Sequence, residues 1–393
     1  MWKKLELRDW QLDAYNFFKN NPVSLFEVTT GAGKTFLSIY FIKKLLEKNK
    51  YLKVLIVGPK NVILEKTWLP ELNTFGFPIH KVGLYNEFSK EFSQITLISI
   101  QSLKILTNQS EVYDMFDFVI FDEVHNYSTI GYRKILEIPK KYKIGLSATI
   151  EREDMNHVPL YGCFNYNIFK YKIDKALKDN VLNPFDFINV RVSIDKETFN
   201  DYTDISDKIK MLMVIKGSRN LKKEEDLYFK SLLNKRKQLI YNYEPKLEIV
   251  KDIINKHKDS KILVFNQYNK TSRNLFWFLM SEGIKSEVIN SDISRYNQGN
   301  VFNNFENGKN NILLATTMLD EGYNLPKIDI AIIMASNSTS KQFYQRMGRV
   351  LRKKDINSKV YYLNVEQTFE EDNLNKKLEL IKQISNSYKE VLI

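Results

Sequence analysis

The sequence predicts an α/β protein of two domains, each a parallel sheet with helices on both faces, joined by a helical connector. Three observations predict this. Short apolar runs rich in β-branched and aromatic residues alternate with longer amphipathic stretches, as strands do when helices cover both faces of their sheet. The alternation breaks between residues 190 and 245 and then resumes with new runs but no repeated sequence. A chain of 393 residues is also long enough to bury two separate cores.

In the first half, strands are expected at VSLFEV, KVLIVGP, ITLISI, FDFVIF and KIGLSAT, and the stretch TFLSIYFIKKLLEKNK has helical spacing. The middle segment, including DKIKMLMVIKGSRNLKKEEDLYFKSLLNKRKQLIYNYEPK, is charged, helical in pattern and without clear strand runs. In the second half KILVFNQ, NILLATT, IDIAIIMA and KVYYLNV read as strands and RNLFWFLMSEG as a helix. The expected boundaries are 1–188 for the first domain, 189–245 for the connector and 246–393 for the second domain.

Composition narrows the function classes. Apolar residues make up 43% and charged residues 27%, as in an ordinary globular protein. No apolar run reaches the ~18 residues that a membrane span needs. The start, MWKKLELRDWQ, lacks the apolar core of a secretion signal, so a cytoplasmic, membrane-free protein is expected. The single cysteine, Cys163, excludes an internal disulfide framework and a cysteine-rich zinc site, and His80, His125, His157 and His257 are too scattered for a metal cluster. The net charge of +12 suits a polyanionic partner such as nucleic acid, although a lysine-rich soluble surface gives the same balance.

VTTGAGKT, residues 28–35, lies between an expected strand and an expected helix. It departs from the pattern G-x-x-x-x-G-K-[ST], because Val28 stands where the first glycine belongs. Gly33, Lys34 and Thr35 fit. Backbone N–H groups at the helix start attract phosphate, Lys34 would reach the β/γ-phosphates, and the Thr35 hydroxyl would ligate Mg²⁺. The alternative is an ordinary β–α turn carrying a lysine. In FDFVIFDEVHN, Asp122 and Glu123 follow directly at a strand's C-terminal end, where open α/β sheets bind ligands. Asp122 would hold Mg²⁺ through water, and Glu123 would orient and deprotonate an attacking water. In IGLSATIERED, Ser147 and Thr149 end another strand and can bond a nearby carboxylate or a moving backbone; alone, the triplet is a plain turn.

In the second half, LLATTMLDEGYNLP places Thr316 and Thr317 at a strand end and turns through Gly322 and Asn324. In SKQFYQRMGRVLRKK, Gln345, Arg349 and Arg352 share one helical face. Arginines aimed at a bound nucleotide stabilise phosphoryl-transfer charge; the alternative is a solvated basic face.

Together these segments resemble a superfamily 2 helicase over nearly the whole chain. LRDWQ is similar to the adenine-reading glutamine motif, with Gln11 as the reader. TTGAGKT is similar to the superfamily's phosphate loop, in which Thr30, Gly31, Ala32, Gly33, Lys34 and Thr35 hold the nucleotide and Val28 is no anomaly. DEVH resembles the DEAH-type box, SAT the coupling motif and QRMGRVLR the arginine-finger motif. SATIERED with a distant LNPF resembles the type III restriction motor and the phage branch-migration helicases. The resemblance implies two RecA-like domains, ATP and Mg²⁺ as cofactors, and nucleic acid, most of all DNA, as partner. It implies catalytic roles for Gln345, Arg349 and Arg352, nucleotide contacts from Gly322 and Asn324, and interdomain hydrogen bonding by His125. Asn324 departs from the family, since many members have Asp there. Nucleic acid would be gripped by Pro59, Lys60, Ser99, Gln101, Thr316 and Thr317, at strand ends where amides and hydroxyls reach phosphates.

The expected activity is ATP-driven translocation on DNA with unwinding or remodelling of duplex or branched DNA. The alternative is an ATP-gated nucleic-acid-binding subunit that acts with a partner and does not unwind processively. A P-loop kinase is a third class, which the paired α/β halves oppose. A nuclease or targeting function would come from a separate protein partner.

Overall fold

Two seven-stranded sheets organise the chain, and every pairing between their strands is parallel. The computed structural model describes residues 6–106, 112, 114–150, 157–290, 292–316, 328–335, 343, 346–347, 351 and 357–393.

In the first unit the strands are β1 (Val23–Val28), β2 (Val54–Gly58), β3 (Val82–Tyr85), β4 (Ile95–Ser99), β5 (Phe118–Phe121), β6 (Tyr142–Ser147) and β7 (Ile168–Tyr171). Their spatial order is β3-β4-β2-β5-β6-β1-β7. The runs of β2, β4 and β5 are buried at every position, which is why they read as unbroken apolar stretches. Because the strands are parallel, all their C-terminal ends lie on one edge. Val28, Gly58, Ser99, Phe121 and Ser147 all end strands there, so the topology gathers the first-half motifs. The helix Asp9–Asn20 is pinned by aromatic stacking, with Trp10 on Tyr171 at 4.5 Å and Phe18 on Phe41 at 4.4 Å between ring centroids.

In the second unit the strands are β8 (Phe185–Val192), β9 (Ile262–Phe265), β10 (Glu287–Ile289), β11 (Ile312–Ala315), β12 (Ile330–Ile333), β13 (Ser358–Val365) and β14 (Ser387–Leu392). They lie in the order β10-β11-β9-β12-β13-β8-β14. The second unit begins at Asn183, ahead of the expected 188/189 boundary. The reason is β8, which pairs residue by residue with β13 and with β14 and so belongs wholly to the second sheet. The expected connector, 189–245, thus opens inside a strand. Its remainder is helical, as Lys196–Ser218 and Lys223–Tyr241. The two helices enclose a small core of Ile209, Phe229 and Leu232, and Asp195 caps the first by accepting from Thr198 N at 2.8 Å. No helix among the described residues is long and apolar enough to cross a membrane.

A buried ion pair ties three elements of this second unit. Lys246 Nζ, fully buried, donates to Glu370 Oε1 at 2.9 Å and Oε2 at 2.8 Å, and to the Met334 carbonyl at 3.2 Å. Glu370 Oε2 also accepts from Val365 N at 3.0 Å. Burial pushes the Lys246 ammonium down and the Glu370 carboxyl up, and each partner's charge opposes that push. We predict that Lys246→Met, which strands a carboxylate in the core, destabilises the protein by about 3 kcal/mol or more. Adding Glu370→Leu should recover most of that loss in urea titrations. Equal midpoints for the single and double variants would show that the pair is not coupled.

Candidate active site

After β1 the chain runs through Thr29–Gly33 and enters the helix Lys34–Lys48. Gly31 (φ 83°) and Gly33 (φ 106°) take left-handed backbone that a side chain would strain. Gly33 is also hemmed in, because a Cβ there would meet Gln11 Nε2 at 3.1 Å. Lys34 Nζ donates back to the Val28 carbonyl at 3.0 Å, so it spans its own loop. Thr30 Oγ1 is buried without a hydrogen-bond partner, a cost that a bound acceptor or donor would remove. An orphan hydroxyl, two left-handed glycines and the open N–H groups of a helix start suit a phosphate chain.

Gln11 comes to the same loop. Its Oε1 accepts from Arg8 N at 3.0 Å and its Nε2 donates to the Gly33 carbonyl at 3.5 Å. Arg8 Nη1 adds a bond to the Ala32 carbonyl at 3.2 Å. Arg8 was not among the expected site residues; its place three residues before Gln11, across the helix start, is the signal that could have found it.

At the end of β5, Asp122 is held from several sides. Its Oδ1 accepts from Glu123 N at 3.0 Å and its Oδ2 from Trp68 Nε1 at 2.9 Å. Its carbonyl accepts from Tyr127 Oη at 2.8 Å. Burial, and then the Glu123 charge, push its carboxyl up to about 6, against the pull of the Trp68 bond, the Lys34 charge and the Glu123 amide. Glu123 sits in left-handed backbone (φ 48°, ψ 49°), a conformation that costs a non-glycine residue free energy and aims its side chain away from the strand axis. Trp68, on the π-helical turn Leu64–Trp68, is a further residue of this site that sequence spacing does not reveal.

The DEVH box and the SAT triplet meet through a histidine. His125 Nδ1 lies 2.8 Å from Ser147 Oγ and 3.4 Å from Glu123 Oε2. Ser147 Oγ gives its one proton to the Thr149 carbonyl at 2.6 Å and accepts from Thr149 N at 3.2 Å. His125 therefore carries its proton on Nδ1, facing both Ser147 and the Glu123 carboxylate. Both of these His125 partners belong to the first unit, whereas the family resemblance implies an interdomain role.

Gly58 at the end of β2 is the register partner of Ser99 at the end of β4, so the expected nucleic-acid contacts Pro59, Lys60, Ser99 and Gln101 leave adjacent strand ends. Gln101 Nε2 donates to the Pro59 carbonyl at 3.2 Å. Thr316 follows β11 in the second sheet and is buried, its N–H on the Ile289 carbonyl at 3.4 Å. Thr317, Gly322, Asn324, Gln345, Arg349 and Arg352 lie outside the described residues. Arg346, between the expected finger residues in sequence, is completely buried.

Residues 4–152 match the family described as type III restriction enzyme, res subunit, and residues 245–354 match the helicase conserved C-terminal domain. The chain belongs to the superfamily 2 helicases. It is 25% identical over 366 residues to a DNA 3'-5' translocase XPB2 of Sulfurisphaera tokodaii, covering 90% of this chain and 80% of that one. It is 23% identical to putative helicase 22 of a Sulfolobus islandicus filamentous virus and 22% identical to the DNA 3'-5' helicase XPB of Mycobacterium tuberculosis. The helicase spans 80% of the first of these relatives but only 64% and 60% of the other two. Its fold is that of the Pyrococcus furiosus Hef helicase domain, with TM-score 0.63 at 17% identity over 94% of this chain and 98% of that one. Two RecA-like domains and ATP-dependent action on nucleic acid are therefore features of this helicase.

The raised Asp122 carboxyl has a measurable consequence. Its folded-state pKa of about 6 exceeds the ordinary 3.8, so the folded protein binds the extra proton between those values and loses stability as pH rises through that window. We predict that Asp122→Asn, which keeps an acceptor for Trp68, gains on the natural protein by on the order of 2 kcal/mol more at pH 8 than at pH 4. Urea midpoints without nucleotide measure the difference. A gain independent of pH would mean that Asp122 does not titrate in this window.

Proposed function

We propose that the helicase hydrolyses ATP at the strand-end edge of its first sheet and uses the cycle to translocate on DNA, unwinding or remodelling duplex or branched DNA. The observation that carries this reading is the His125 link. A water-orienting carboxylate, Glu123, shares one imidazole with Ser147 and, through it, with the backbone at Thr149. Such a link couples the reacting end of the nucleotide to a segment that can move.

In this reading Gln11 recognises the adenine, and Thr30 to Thr35 cradle the phosphates with Lys34 turning from Val28 to the β/γ-oxygens. Thr35 and Asp122 would hold Mg²⁺, which when bound supplies charge neutralisation at the phosphates. Glu123 orients the attacking water and takes its proton. Arg349 and Arg352, with Gln345, stabilise the charge that develops on the transferred group, and Gly322 and Asn324 contact the nucleotide. Pro59, Lys60, Ser99, Gln101, Thr316 and Thr317 grip the phosphate backbone of the track. The names of the similar translocase and helicases support DNA as that track and 3'-to-5' as the direction. All three of these relatives are longer than the matched region, which supports a separate protein partner for targeting or cleavage.

The deciding measurement is the steady-state ATPase rate of the purified protein, alone and with single-stranded, duplex and branched DNA and with RNA. Strong stimulation by one DNA form is expected. A rate indifferent to DNA, or stimulated only by RNA, would overturn the DNA motor. Three variants separate the roles. Lys34→Ala should abolish tight ATP binding, and Glu123→Gln should keep binding but lose turnover. Arg349→Ala should keep binding and lose turnover roughly 10³-fold. Near-normal turnover in any of them removes that residue from its assigned role.

A further inference from the structure

β3 ends at Tyr85 on the same edge of the first sheet as Gly58 and Ser99, because β3 pairs parallel with β4 and β4 with β2. The chain reverses there in a hydrogen-bonded turn. Asn86 Oδ1 accepts from Phe88 N at 2.8 Å and Ser89 N at 2.9 Å, while Asn86 N donates to the Ser89 carbonyl at 2.8 Å. Glu91 N donates to the Leu84 carbonyl at 3.1 Å, and Tyr85 and Lys90 form an antiparallel bridge. The returning segment lies directly on Gly83, where a Cβ would strike the backbone of Glu91 and Ser93. Asn86 Nδ2 also donates to Glu65 Oε1 at 3.1 Å, which fastens the turn to the helical segment that follows Lys60.

This frame holds up one aromatic ring. Phe88 is 81% exposed, the most exposed large apolar side chain among the described residues. A lone exposed apolar residue is ordinary on a mobile loop. Here the backbone on both sides of the ring is fixed by hydrogen bonds, the turn is tied to the element after Lys60, and the edge is the one where the track would pass. Lys90 Nζ lies 4.6 Å over the Tyr85 ring, so a cation stays beside the turn, while Glu87, adjacent in sequence to Phe88, adds a negative charge to it. The ring therefore suits the face of a base and not the backbone.

We propose that Phe88 is a base-stacking contact that takes an unpaired nucleobase of the strand held at the Pro59–Lys60 and Ser99–Gln101 edge. It rests on the DNA-motor reading. Every base has a π-face, so the contact is indifferent to sequence, and it releases no counterions.

The test uses the full chain with Phe88→Ala and Phe88→Trp. Binding is read by fluorescence anisotropy of labelled single-stranded DNA over a salt series. Stacking is read from the emission of 2-aminopurine placed along an unlabelled strand. We expect Phe88→Ala to melt at the natural temperature and to weaken single-strand binding by about ten-fold, the effect of losing one stacked base. The slope against salt should stay the same, and the 2-aminopurine quench should disappear. Phe88→Trp should restore both. Natural affinity and quench in Phe88→Ala would overturn the proposal and free the ring for a protein partner. An equal loss on fully paired duplex, or a changed salt slope, would overturn it too. The motor reading fails differently, through a natural protein that binds no nucleic acid in any form.

Discussion

A carboxylate buried at the end of a strand is the constraint on which this architecture turns. Asp122 leaves β5 largely buried, only 8% exposed, and its charge is raised in energy further by Glu123 beside it. Its neighbours answer that cost with directed groups: the indole of Trp68, the amide of Glu123 and, across the sheet edge, the charge of Lys34. None of them cancels it, since the carboxyl remains well above its ordinary range. In the proposed reading, Mg²⁺ would supply the positive charge that these neighbours do not. The left-handed backbone of Glu123 belongs to the same design. It brings the second carboxylate to within 3.4 Å of His125 Nδ1, while its charge still acts on Asp122.

The same edge explains why the nucleotide loop needs its neighbours. A glycine-rich turn is soft by itself, but here Arg8 and Gln11 bond to successive carbonyls, those of Ala32 and Gly33. The helix that presents them is fixed by the stack of Trp10 on Tyr171 at the far edge strand β7. In the proposed reading, Gln11 and the loop that would hold the phosphates therefore share one support.

How much of this was legible follows from burial. β1, β2, β4, β5, β9, β11 and β12 lie within the apolar runs, and β6 and β13 begin one residue before theirs, because strands covered on both faces must be apolar at consecutive positions. β3, β7, β10 and β14 escaped, being short or edge strands with partly exposed side chains. β8 escaped for another reason. Its burial alternates and it carries Asp186, Asn189 and Arg191, so it reads as amphipathic although it sits between two partners. Missing it shifted the domain boundary. In the site, residues at strand ends were legible because the motif and the topology coincide. Trp68 was not, since 54 residues separate it from the carboxylate it bonds and no spacing rule spans that gap.

The position of Trp68 also joins the two halves of the chemistry. The helical segment that bears it starts just after Lys60, at the expected backbone grip, and packs so closely that a Cβ on Gly58 would strike the Leu64 side chain. The segment that follows Pro59–Lys60 thus ends in an indole whose N–H bonds Asp122. The segment includes the π-helical turn Leu64–Trp68, whose last residue is the buried Trp68. Through Glu65 and Asn86 the same segment holds the turn that exposes Phe88. One helical segment of the first unit therefore bonds the buried Asp122, follows directly on the proposed backbone grip and holds the turn that bears Phe88.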